Sequence, residues 1–197
     1  MGTNRSAKIV RNTRETRISL KMKLDGTGKS SVRTGVPFLD HMLDLLARHS
    51  VCDLDLKAKG DIAVDYHHLV EDLGLALGEG FKKALGDKRG IRRYGFWVLP
   101  MDETLARVAL DFSGRPYLVY RVKSRKDKIR DFNISLIREF MQGFSSAAQC
   151  NLHIELLYGD EPHHIVEAIF KGLAKAIDVA KQKDSRIKGV PSTKGKL

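Results

Sequence analysis

The chain has 197 residues, enough for one large domain or two small ones, and its 42% hydrophobic and 30% charged content is that expected of a soluble globular protein. No apolar run approaches a membrane-spanning helix, the basic N-terminus lacks a signal-peptide core, and Cys52 and Cys150 fit buried packing residues in a reducing, cytoplasmic compartment. The net charge of +11 asks for an anionic partner, nucleic acid or a small phosphate ester, yet the basic residues cluster at 88–93, 123–130 and 181–196 rather than along one stripe.

In chain order, Ile18–Leu24 and Ser30–Thr34 read as a pair of strands. Pro37–Arg48 is predicted as a helix, with Pro37 in its first turn and Leu39, Met42, Leu43 and Leu46 on its apolar face. Cys52–Ala58 alternates as a strand. Gly60-Asp61 turns the chain, Asp65 caps, and His67 to about Leu85 forms a long helix. The order then repeats. Leu105–Asp111 and Tyr117–Val122 are read as strands joined by the tight turn Ser113-Gly114-Arg115-Pro116. Asn133–Ala148 reads as a helix, Leu152–Leu156 as a strand, Gly159-Asp160 as a turn, and His163 to about Ala180 as the last helix.

This pattern predicts an α+β fold of two tandem duplicated halves, 1–92 and 93–184. Each half is an antiparallel-rich mixed sheet of the split β-α-β type with two helices on one face, so that the helices pack between the sheets. Residues 185–197 read as a flexible basic tail.

The repeat carries chemistry. His67-His68-Leu69-Val70-Glu71 and His163-His164-Ile165-Val166-Glu167 stand 96 residues apart, each opening a helix. Residues four apart share a helix face, while the second histidine lies about 100° round it, so each pair can reach two different ions more easily than it can serve one. Imidazole with carboxylate suits manganese, zinc or iron. His41 in the first helix has Glu139 as its counterpart, which completes eight donors for two metals. His153 alternates away from Leu152 and Ile154 and reads as an exposed sheet residue, and His49 ends its helix as a possible substrate contact. Arg93, Arg115 and the tail residues Ser192, Thr193 and Lys194 offer donors for an anion, and Glu15 is an acid among arginines.

Taken together, Phe38-Leu39-Asp40-His41-Met42-Leu43, the two histidine motifs, Met101-Asp102-Glu103, Asp111-Phe112-Ser113-Gly114-Arg115-Pro116-Tyr117 and Pro191-Ser192-Thr193-Lys194-Gly195 resemble the imidazoleglycerol-phosphate dehydratases of histidine biosynthesis, from about Arg11 to the end. The resemblance implies a monofunctional hydro-lyase that converts D-erythro-imidazole-glycerol phosphate to imidazole-acetol phosphate with two manganese ions per active site. It assigns His41, His68, His163 and Glu167 to one ion and His67, Glu71, Glu139 and His164 to the other; some relatives carry histidine where Glu139 stands. It also implies that Arg93, Arg115, Ser192, Thr193 and Lys194 bind the phosphate, that Glu15, His41, His49, His67 and Lys171 line the substrate site, and that Glu15, Glu71 and Glu167 are the candidate proton carriers. Trimers would build a hollow shell of 24 subunits with active sites at subunit interfaces. The competing readings are an RNA-binding protein, whose binding would survive chelation, and a hydrolase, whose two ions would sit roughly 3.5–4 Å apart. The first leaves the paired histidine clusters unexplained. The second differs from the dehydratase reading, which needs ions far enough apart to hold an imidazole ring between them, and no nucleic-acid or membrane partner is expected.

Overall fold

The first half of the computed structural model, which describes residues 5–197, contains β1 (Ser6–Asn12), β2 (Thr16–Lys23), β3 (Ser30–Arg33), α1 (Pro37–Ser50), β4 (Asp53–Gly60) and α2 (His67–Leu85). The second contains β5 (Tyr94–Met101), β6 (Thr104–Asp111), β7 (Tyr117–Arg121), the short β8 (Lys128–Ile129) and β9 (Phe132–Asn133), α3 (Leu136–Ala148), β10 (Asn151–Tyr158) and α4 (Pro162–Lys181). Residues 1–4 of the expected first half lie outside the described residues.

Two four-stranded sheets form, with orders β1-β2-β4-β3 and β5-β6-β10-β7. Two expectations about pairing are corrected. β2 and β3 are not neighbours, because β4 lies between them, antiparallel to β2 and parallel to β3. In the same way β10 separates β6 from β7, so Ser113–Pro116 is not a hairpin turn but a link across the end of β10. Leu152 and Ile154 of β10 point into the core, and a central position satisfies both edges of that strand. The strands that do make hairpins, β1 with β2 and β5 with β6, include two that the sequence reading passed over. Helix α3 also starts later than expected, at Leu136: the Asn133 side chain accepts the Ser135 N–H at 2.9 Å, an Asx turn that competes with helix.

The helices lie between the sheets. α2 packs on β1 and β2 and against α3, while α4 packs on β5 and β6 and against α1. One continuous core results, in which Phe81, Phe112, Phe140, Phe144 and Phe170 are all at most 1% exposed. Because α1 meets α4 and α2 meets α3, each half brings its helix starts to the other half. Close approach depends on glycine: a Cβ at Gly74 on α2 would collide with the Phe140 carbonyl of α3, and one at Gly95 on β5 with the Ala176 carbonyl of α4. Gly95→Ala is therefore expected to lower stability by about 3 kcal/mol, because a helix carbonyl cannot give way as a side-chain tip can. Thermal unfolding beside the parent checks this.

Candidate metal centre and anion pocket

The two histidine pairs sit at the first turns of α2 and α4. Asp65 accepts the His67 N–H at 2.7 Å, and Pro162 opens α4 with φ already set for a helix. Within each pair the rings stand almost perpendicular, at 89° and 84°, with centroids 6.1 and 6.3 Å apart. The splay expected from helix geometry is present, and each imidazole faces different partners.

The first histidine of each pair approaches the glutamate one turn on. His67 Nε2 lies 4.0 Å from Glu71, and His163 Nε2 lies 3.2 Å from Glu167 Oε2. To the second pair α1, from the first half, adds His41, whose Nε2 is 3.4 Å from the same Glu167 oxygen. Donor atoms of His41, His163 and Glu167 all fall within 4.8 Å of one another, the one such cluster of three among the described residues. Two imidazoles and a carboxylate at that spacing fit a divalent cation with coordination positions left open. Glu167 is nearly buried; its Oε1 pairs with Lys171 at 2.5 Å while Oε2 faces the histidines. Burial pushes its carboxyl pKa up, but Lys171 and the two histidines outweigh burial and hold it below the ordinary range. His49, at the end of α1, has its pKa lowered, first by burial and then by Lys171 and Lys175.

The other donors are not gathered with this triad. His68 faces Asp61, its Nδ1 3.0 Å from Oδ2, and its Nε2 lies 3.7 Å from Glu15. His164 Nδ1 contacts Glu103 at 2.7 Å, and its Nε2 lies 3.6 Å from Asp102. Both imidazole pKa values are raised, in each case chiefly by the carboxylate on Nδ1. Glu139 pairs with Arg138 at 3.1 Å rather than with His67 and Glu71.

Asp61, Asp72 and Glu103 are site residues to which the sequence reading gave no role. Buried Asp72 on α2 accepts from the Thr16 hydroxyl and, at 2.8 Å, from Arg11 Nε, which ties the β1–β2 hairpin bearing Glu15 to the histidine helix. The signal for Glu103 was available: it occupies the β5–β6 hairpin as Glu15 occupies the β1–β2 hairpin. It stays hidden as long as β1 and β5 are not recognised as strands.

Arg93, Arg115, Ser192, Thr193 and Lys194 line one cavity of about 560 Å³. Arg93 braces it: its guanidinium donates to both Asp111 oxygens at 2.6 and 3.0 Å and to the Pro191 carbonyl at 2.9 Å. The tail is thus tied back rather than free, and the Gly90 N–H adds a bond to the Gly189 carbonyl at 2.7 Å. The Arg93 backbone, at φ 72°, donates its own N–H to the Ala180 carbonyl near the end of α4.

The imidazoleglycerol-phosphate dehydratase family profile matches residues 34–177. The enzyme of that name from Citrifermentans bemidjiense is 61% identical over 193 residues, covering 98% of this chain and 99% of the relative. The one from Geobacter sulfurreducens is 57% identical over 194 residues, 98% of this chain and 100% of the relative. Among solved structures, the Staphylococcus aureus dehydratase superposes with a TM-score of 0.83 at 36% identity, covering 91% of this chain and 99% of that one. The Pyrococcus furiosus enzyme, solved in complex with (S)-C348, gives 0.84 at 37% identity, covering 96% of this chain and 100% of that one. By profile, sequence and fold, the chain belongs to the imidazoleglycerol-phosphate dehydratase family, whose hydro-lyase reaction serves histidine biosynthesis.

Proposed function

We propose that the dehydration of imidazole-glycerol phosphate runs here on divalent metal, manganese foremost, held by the two histidine clusters in an active site built from more than one copy of the chain. The observation that carries this is the His41–His163–Glu167 cluster, whose donors already lie within 4.8 Å of one another. His41, His163 and Glu167 would hold one ion together with His68, and His67, Glu71, Glu139 and His164 the other. A bound cation there would draw electron density from the imidazole ring of the substrate.

Distance supports the sharing between copies. The triad stands at the start of α4, whereas the anion cavity adjoins Ala180 near its end, about 25 Å away at 1.5 Å per residue. The substrate spans only roughly 10 Å from imidazole to phosphate at ordinary bond lengths. One molecule cannot reach both within one chain. A homo-oligomer solves this, and family resemblance sets the expected size at 24 subunits assembled from trimers.

In the assembled site Arg115, Ser192, Thr193 and Lys194 would grip the phosphate, with Arg93 holding the tail in place. Binding energy remote from the reacting carbons then fixes their geometry. Lys171 and His49 line the same helix interface as the triad. The hydroxyl beside the ring leaves as water, the neighbouring carbon loses its proton, and the resulting enol becomes the ketone. Glu15 is the best-placed proton carrier: it sits on a hairpin tip, half-exposed, with no hydrogen bond to its carboxylate among the described residues. Glu167 has both oxygens engaged, which suits a ligand better than a base, and Glu71 is the freer alternative. The two cysteines are buried free thiols, in keeping with a reducing cytoplasm.

The test is turnover by chelator-stripped protein. Product on adding manganese and none without it is the expected result. Equal turnover in both samples would contradict metal dependence.

A further inference from the structure

We propose that Asp61 and Glu103 are positioning residues which fix the proton of His68 and of His164 on Nδ1, so that each ring offers a bare Nε2 to a metal. The proposal rests on the metal reading above and concerns residues outside the ligand set it names.

In each half the second histidine of the pair is held from outside its own helix. His68 Nδ1 lies 3.0 and 3.3 Å from the Asp61 oxygens, and His164 Nδ1 lies 2.7 Å from Glu103 Oε2. An ionised carboxylate only accepts hydrogen bonds, so the proton of a neutral ring in that contact is on Nδ1. The Nε2 atoms have no hydrogen bond among the described residues. Each lies beside another carboxylate, Glu15 at 3.7 Å and Asp102 at 3.6 Å, beyond hydrogen-bond range.

Both anchors are themselves fixed. Glu103 Oε1 accepts the Thr104 hydroxyl at 2.9 Å and the N–H groups of Glu161 at 2.9 Å and Asp160 at 3.3 Å, which joins the β5–β6 hairpin to the first turn of α4. Asp61 donates its N–H to the Glu15 carbonyl at 3.1 Å and accepts that of Val64 at 2.8 Å.

The two anchors are not copies of each other. Asp160, in the second turn that matches Gly60-Asp61, faces Arg125 at 4.0 Å instead of His164. Glu15, in the first hairpin, faces Nε2 of His68 instead of Nδ1. Duplication alone would have left equivalent anchors in the two halves. Two different carboxylates reaching the same ring nitrogen mark the arrangement as a requirement of the site. The first histidines differ: His67 and His163 approach carboxylates through Nε2. Each pair therefore joins one ring of fixed orientation to one that turns toward its own helix.

Asp61→Asn and Glu103→Gln test this. In Glu103→Gln the oxygen stays on the α4 amides, so the NH2 group donates to Nδ1 and moves the ring proton to Nε2, where it blocks ligation; Asp61→Asn removes the charge that holds the proton of His68 on Nδ1. Free manganese measured by electron paramagnetic resonance during titration should report a 10–100-fold loss of affinity in each variant, about the cost of removing such a hydrogen-bond partner. Metal-free thermal unfolding should match the parent for Asp61→Asn, which caps no helix. Repeating the titration near 1 M salt, where the screening length is about 3 Å, separates ring orientation from bulk charge: the loss should persist. Asp44→Asn, a surface control, should bind as the parent does. Variants that bind manganese like the parent, or whose loss vanishes in salt, would overturn the assignment alone. A parent that binds no manganese would overturn the metal reading and the assignment together.

Discussion

Replacing His163 with alanine is expected to lower turnover by at least about a thousandfold, some 4 kcal/mol of transition-state stabilisation, by removing a metal donor. His163 is the donor with the most at stake. It contacts Glu167, its ring lies 5.7 Å from that of His41, and it packs edge-on against Phe38 at 5.5 Å. Metal content and assembly size should fall with activity, and His67→Ala should behave alike. His153→Ala is the contrast. That ring is exposed on β10, on the face away from buried Leu152 and Ile154, and its loss should change stability by no more than about 0.5 kcal/mol. Atomic absorption and light scattering on the two proteins check the prediction. A His163→Ala protein with full metal and unchanged size would remove the triad from the account.

Arg93→Ala should damage both stability and phosphate binding. The side chains of Arg93 and Asp111 are only 11% and 17% exposed, so truncation leaves a carboxylate largely out of water at a cost of about 3 kcal/mol. It also releases the Pro191 carbonyl, and with it the tail that carries Ser192 and Lys194. KM should rise by roughly 10–100-fold, the worth of about 1.5–3 kcal/mol of charged hydrogen bonding. Arg93→Lys should recover little, since an ammonium cannot engage both Asp111 oxygens and the carbonyl at once. Steady-state kinetics with thermal unfolding resolves the two losses. Lowered stability with an unchanged KM would limit Arg93 to a structural brace.

The repeat explains how much of this was legible beforehand. All four long helices were readable because each carries an apolar stripe at helical spacing, and the splay of His67 from His68 follows from 100° per residue. Strand neighbours were not readable. β4 and β10 insert between strands that adjoin in sequence, and nothing local to Ser113–Pro116 distinguishes a hairpin from a link over a strand end. β5 was missed because Phe96, Trp97 and Val98 are all exposed to some degree, so the strand lacks alternation. Missing β1 and β5 concealed the two hairpins, and with them the pairing of Glu15 with His68 and of Glu103 with His164. Of the eight donors read from the pattern, the fold gathers three, His41, His163 and Glu167. Their partition was beyond sequence, since it depends on α1 meeting α4 and on distances along α4.

Mixing inactive variants shows whether the metal site and the anion pocket come from different copies. Glu167→Gln keeps both triad histidines but removes the carboxylate charge that completes the triad, Arg115→Ala lacks a phosphate ligand, and each alone should be nearly inactive. When the two are dissociated together and reassembled one to one, about a quarter of the shared sites receive an intact half from each partner, so about a quarter of parental activity should return. Mixed assemblies, verified by two different affinity tags, that stay as inactive as their parents would contradict the account and return the whole active site to a single chain.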